Sequence, residues 1–61
     1  MRAEISAADV RQARDAAGLT LRAAAEIVGV ELRSWQRYES GERKISNGLW
    51  ELFLIKTSKK M

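Results

Sequence analysis

The sequence predicts an all-α domain of four short helices, and three features agree on that reading. Apolar residues recur at helical spacing in successive segments, as at Leu21, Ala24, Ala25 and Val28, which fall at i, i+3, i+4 and i+7 on one face. Ser6, Thr20 and Ser46 stand just before three such segments, where a hydroxyl can accept from the unpaired backbone N–H groups of a first turn. Gly18, Gly29 and Gly41 interrupt the pattern where a chain leaves a helix.

Met1 to Ile5, with Arg2 and Glu4, reads as a short arm with little to fix it. Ser6 followed by Asp9 has the S-x-x-D spacing of a helix start. The first helix is expected from Ala7 to about Ala17, ending at Gly18, with Val10, Ala13 and Ala17 on its buried side. Arg14, four residues after Val10, falls on that same side. A guanidinium on an apolar face needs a partner, because an unpaired buried charge costs on the order of several kcal/mol. Glu39 is the candidate, since it lies seven residues after Leu32 and four after Trp35 and so points inward from the end of the third helix.

The second helix carries the Leu21 face and starts at Thr20. Val28-Gly29-Val30 then leaves room only for a sharp turn. In the third segment, from Glu31 to Ser40, Leu32, Trp35 and Tyr38 make an apolar stripe, while Arg33, Gln36, Arg37 and Ser40 recur at i, i+3, i+4 and i+7 on the other side. That second face is polar, long-armed and basic. Two helices meeting at so tight a turn must pack closely, and Ala25 and Gly29 read as small residues where bulk would hold them apart. Their spacing fits a helix-turn-helix.

An alanine, a glycine four residues later, an apolar residue after it, and then W-Q-R-Y-E-S-G from Trp35 to Gly41 resemble the lambda-repressor-like (XRE, Cro-type) DNA-binding domains. The resemblance runs from roughly Val10 to Lys56 and is strongest from Gly18 to Lys44. It implies a compact four-helix domain over residues 1–61 with its motif at 20–41. It also implies a sequence-specific transcriptional regulator of the small bacterial or phage repressor kind, acting as a homodimer on double-stranded DNA. In that family an Arg and a Glu at the positions of Arg14 and Glu39 form a structural ion pair, as the helical phases also suggest.

The third helix would enter a major groove with its N-terminal half against base edges. Arg33 and Arg37 can each donate two parallel hydrogen bonds to guanine, and Gln36 can do the same to adenine. Glu31 could accept from cytosine or simply favour the positive end of the helix dipole. Leu32 could touch a thymine methyl or be part of the core. Ser40, at the end of the polar face, is a candidate phosphate contact. Glu42-Arg43-Lys44 could be a solvated loop, but in the resembled family this loop lies along the DNA backbone, which makes Arg43 and Lys44 phosphate contacts that fix register without reading sequence.

There are two departures from the family pattern. Leu21 stands where the family commonly has a phosphate-binding Gln, so that contact falls to the helix N-terminus, Thr20 or Arg22. No residues remain for the usual fifth helix, so the dimer surface does not carry over directly.

Ser46 is expected to cap a last helix from Asn47 to about Thr57, with Ile45, Leu49, Leu52 and Phe53 as its core face. Trp50, Leu54 and Ile55 are apolar as well, so the helix is hydrophobic nearly all round. Either Trp50 folds back onto Ile5 or the first helix, or Trp50 and Leu54 form a dimer interface. Ser58 to Met61 reads as a polar, frayed tail.

At 61 residues the chain is one domain near the lower size limit for a self-sufficient core. Without Cys or His, it can have no disulfide frame, no Cys/His zinc site and no Cys–His or Ser–His nucleophile. Eleven Lys+Arg against eight Asp+Glu give +3, which suits a polyanionic partner. Asp9, Asp15, Glu26 and Glu31 are scattered on solvent-facing positions without the paired geometry of acid–base catalysis. A non-enzymatic protein with no cofactor, metal or small-molecule substrate is therefore expected. No apolar run approaches the ~20 residues of a membrane span and no signal-peptide core is evident, which makes a cytoplasmic, membrane-free protein the default. The reading from a different class is an interaction module, such as an antitoxin or adaptor, that binds another protein through the last helix.

Overall fold

The computed structural model describes residues 5–58. Among them are four α-helices, α1 (Ala7–Ala16), α2 (Leu21–Val28), α3 (Leu32–Ser40) and α4 (Asn47–Thr57), and no strand. Residues Met1 to Glu4 of the expected arm and Lys59 to Met61 of the expected tail lie outside the described residues. Ile5, assigned to the arm by sequence, is half-buried against the core.

Three helices begin on the hydroxyls that the sequence singles out. Ser6 Oγ accepts from the Asp9 N–H at 3.1 Å while Asp9 Oδ2 accepts from the Ser6 N–H at 3.1 Å, a reciprocal cap that satisfies two unpaired donors. Thr20 Oγ1 accepts from Ala23 at 3.1 Å and Ser46 Oγ from Leu49 at 3.2 Å. α3 starts differently, because Glu31 occupies its cap position and makes no side-chain cap bond.

The turn between α2 and α3 depends on Gly29, whose φ of 74° is left-handed. The N–H of Val30 reaches the Ala25 carbonyl at 3.0 Å and that of Gly29 the Glu26 carbonyl at 3.2 Å, which closes the open end of α2 in two bonds. The expectation that Gly29 makes room between helices is wrong. An added Cβ would meet no heavy atom within 4 Å, so backbone dihedral and not crowding selects glycine here. Ala25, at 1% exposure, does lie in the packed interior.

A second correction concerns Ala17. α1 stops at Ala16, and Ala17 is exposed instead of facing the core. The chain reverses at once, with Gly18 and Leu19 donating back to the carbonyls of Asp15 and Arg14. The next apolar residue to pack inward is Leu19.

The core consists of Val10, Ala24, Ala25, Val28, Trp35, Ile45 and Phe53. Trp35 and Phe53 have no exposed surface, and their rings lie 5.0 Å apart. Burying an aromatic of this size contributes roughly 1.5–3 kcal/mol, so these two rings carry much of so small a core. α3 packs on both α1 and α2, and α4 packs on α2. Leu21, Leu32, Leu49 and Leu52 are half-buried. Trp50 is half-buried too, its ring nearly parallel to that of Phe53 at 6.4 Å. Leu54 and Ile55 remain open at 41% and 71%.

Candidate nucleic-acid interface

α3 is a helix with two unlike sides, and the unlikeness follows from its sequence. Trp35 is wholly buried, and Leu32 and Tyr38 flank it half-buried, Tyr38 meeting the Trp35 ring edge-on at 6.0 Å. On the other side of the helix, Arg33, Gln36, Arg37 and Ser40 are all exposed. Together with Glu42 they line one shallow, open concavity. The structure therefore brings four of the predicted contact residues onto one surface.

The remaining candidates are more dispersed. Glu31 is exposed at the start of α3. Thr20 and Arg22 are exposed at the start of α2, with the Thr20 hydroxyl already engaged in capping. Arg43 joins Arg37 and Glu42 around an adjoining depression. Lys44 and Arg43 also border a separate hollow formed with Ser6, Tyr38 and Ile45. Trp50 and Leu54 lie on α4, outside the surface that α3 presents.

α3 is held from behind by one carboxylate. Arg14 donates from Nε to Glu39 Oε2 at 2.5 Å and from Nη2 to Oε1 at 3.1 Å, a two-pronged pair between α1 and α3. Its third nitrogen, Nη1, donates to the Leu19 carbonyl at 3.0 Å. Trp35 Nε1 donates to Glu39 Oε2 at 2.6 Å. The Arg14 and Glu39 side chains are 16% and 11% exposed, so the charges are well shielded but not sealed.

Burial by itself pushes the Glu39 carboxyl up. Hydrogen bonds from Arg14 and Trp35 and the charges of Arg14 and Arg11 outweigh it, holding the group below its ordinary range. The hydrogen bond to Glu39 raises Arg14 further above its already high value, against a smaller opposing effect of burial. Sequence reasoning paired Arg14 with Glu39 but missed the indole and the Leu19 carbonyl. The i, i+4 spacing of Trp35 and Glu39 was the available signal for the former.

The loop after α3 is tied to that helix. Gly41 is left-handed at φ 86°, the Ser40 hydroxyl and the Arg43 N–H both donate to the Arg37 carbonyl at 3.1 and 3.3 Å, and the Glu42 N–H donates to Ser40 Oγ at 3.3 Å. Glu42 Oε1 lies 3.7 Å from Arg37 Nε. No group of three or more His, Cys, Asp or Glu among the described residues could hold a metal ion. No helix among them is long and apolar enough to cross a membrane.

A tight two-helix corner, whose second helix turns an apolar stripe centred on Trp35 inward and leaves a basic face in solvent, defines a helix-turn-helix domain, a class that in general binds DNA and is typically not enzymatic. The family model described as a helix-turn-helix domain matches residues 7–54, and the chain belongs to that family, in agreement with its lambda-repressor-like sequence pattern. No curated protein matches the chain.

Proposed function

We propose that this protein is a sequence-specific DNA-binding transcriptional regulator, a small bacterial or phage-type repressor that acts as a homodimer with α3 in the major groove. The observation that carries this reading is the single open surface shared by Arg33, Gln36, Arg37 and Ser40, on a helix fixed from behind by Trp35 and Glu39. Arg33 and Arg37 suit guanine and Gln36 suits adenine. Glu31 would accept from cytosine or act on the dipole, and Thr20, Arg22, Ser40, Arg43 and Lys44 would bear on phosphates.

One module of this size buries too little surface for tight specific binding, and two copies on a pseudo-palindrome supply the rest. Their recognition helices would sit roughly 34 Å apart, in successive grooves on one face of the duplex. Occupying a promoter requires no chemistry, and a cytoplasmic protein is where such a regulator would act.

The exposed Leu54 and Ile55 favour a second role for α4. We assign it to the dimer contact, with Leu54 central and the half-buried Trp50 beside it. An antitoxin or adaptor that binds a different protein through the same helix is the alternative. Selection of bound duplexes from a random pool tests the proposal. A palindromic consensus is expected, a motif without two-fold symmetry argues against the dimer, and recovery of no motif overturns sequence-specific binding.

A further inference from the structure

Glu42 is an acidic residue on a surface read as meeting a polyanion, and its placement is specific. It borders the concavity lined by Arg33, Gln36, Arg37 and Ser40, and its carboxylate lies 3.7 Å from Arg37 Nε, with the two side chains 67% and 46% exposed. Its backbone is not loose. The Glu42 N–H is bonded to Ser40 Oγ, and the Ser40 hydroxyl and the Arg43 N–H both close on the Arg37 carbonyl. Residues 40–43 are thus folded onto Arg37 at its backbone, and Glu42 meets it again at its side chain.

We propose that Glu42 is a specificity-determining residue, which positions Arg37 and penalises every duplex that does not give Arg37 a guanine. This rests on the reading of α3 as the base-reading helix. Arginine on an open helix face has many rotamers of similar energy, and a carboxylate at Nε restricts them. The contact uses Nε, which leaves the two terminal nitrogens for the O6 and N7 of guanine. A guanidinium can serve both partners at once, so the correct base adds its hydrogen bonds without breaking the internal pair. On a wrong base Arg37 finds no matching acceptors in that geometry and cannot swing to others without giving up the Glu42 contact, which weakens binding there more than on the correct site. The phosphate attraction from Arg43 and Lys44 is indifferent to sequence, and Glu42 offsets part of it.

The test compares the parent, Glu42→Gln, Glu42→Asp and Arg37→Ala on the duplex selected by the parent, on all its single-base variants and on an unrelated duplex of equal length. Glu42→Gln is expected to bind the unrelated duplex more tightly. Its discrimination should fall by roughly threefold to tenfold at the same base pair that Arg37→Ala affects, part of what a two-pronged arginine–guanine contact supplies. Glu42→Asp keeps the charge but shortens the reach, so it should return non-specific affinity to the parent level without restoring full discrimination. If Arg37→Ala changes preference at one base pair and Glu42→Gln leaves the whole profile as in the parent, Glu42 has no such role and the proposal fails alone. If Arg37→Ala leaves the profile unchanged as well, the base-reading assignment of α3 fails and takes this one with it.

Discussion

Glu39 on α3 and Arg14 on α1 are joined by two parallel hydrogen bonds of 2.5 and 3.1 Å across 25 residues of sequence. The same carboxylate accepts the indole N–H of Trp35, so one acidic side chain fixes both the rotation of α3 about its buried aromatic and its docking on α1. The outward direction of Arg33, Gln36 and Arg37 follows from that rotation.

Removing the carboxylate leaves Arg14 shielded without its partner and the Trp35 indole without its acceptor. Glu39→Ala is expected to cost about 2–4 kcal/mol, below the full value for a sealed pair because both groups retain some solvent. In a domain of this length that lowers Tm by on the order of 10 °C or more. Glu39→Gln keeps an acceptor for one donor and should cost about half as much. Thermal and urea unfolding followed by circular dichroism measure both.

The same pair predicts a pH dependence. Glu39 is held below its ordinary value in the folded chain, so the unfolded chain binds the proton more readily. Its contribution is fully present above the ordinary carboxylate range and is lost as pH falls through the lower, folded value. Arg14, shifted upward, stays charged in both states at any practical pH and adds no slope. The stability difference between the parent and Glu39→Gln should be constant near neutrality and shrink in acid. A difference that grows as pH falls contradicts the assignment.

Gly29 offers a purely backbone prediction. The space around it is open and its φ is 74°, so Gly29→Ala should cost about 1–2 kcal/mol through the left-handed conformation alone. Gly29→Asn, which tolerates that region better, should cost less. Equal losses for the two substitutions would mean that side-chain bulk matters after all.

These sites also mark what was legible in the sequence. The capping hydroxyls, the apolar stripes and the inward phases of Arg14 and Glu39 are encoded at separations of three and four residues along single helices, so periodicity exposes them, and the two inward charges then suggest each other as partners. The limits were of two kinds. Where Ala17 ends up depends on how the chain reverses after α1, and a dihedral requirement at Gly29 looks the same in sequence as a packing requirement. The sequence leaves Trp50 between the core and an interface, and its half-burial depends on how α4 docks on the rest of the core, which spacing does not reveal. The Glu42 contact with Arg37 depends likewise on the turn at Gly41.

On α4, Leu54 is exposed and carries no core load comparable to Phe53. Leu54→Ser is therefore expected to keep the fold and to abolish self-association, read as a fall to monomer mass in sedimentation and a loss of affinity for the two-half-site duplex. Unchanged sedimentation would remove α4 from the dimer contact.

For DNA, the two classes of contact should separate cleanly. Arg37→Ala should cost about 1–3 kcal/mol and relax preference at one base pair, whereas Arg43→Ala should weaken binding to all sequences and flatten the salt dependence by about one unit of slope. Titrations of matched and single-base-substituted duplexes at several salt concentrations read both quantities.

The most direct test of the whole account is methylation interference on a selected duplex, because methylation at guanine N7 alters the floor of the major groove, where we propose that α3 binds. Interfering guanines should fall in two clusters about one helical turn apart on the same face, and Arg37→Ala should lose sensitivity at one guanine in each cluster. Interference confined to minor-groove positions, or none at all while specific binding persists, would contradict the placement of α3.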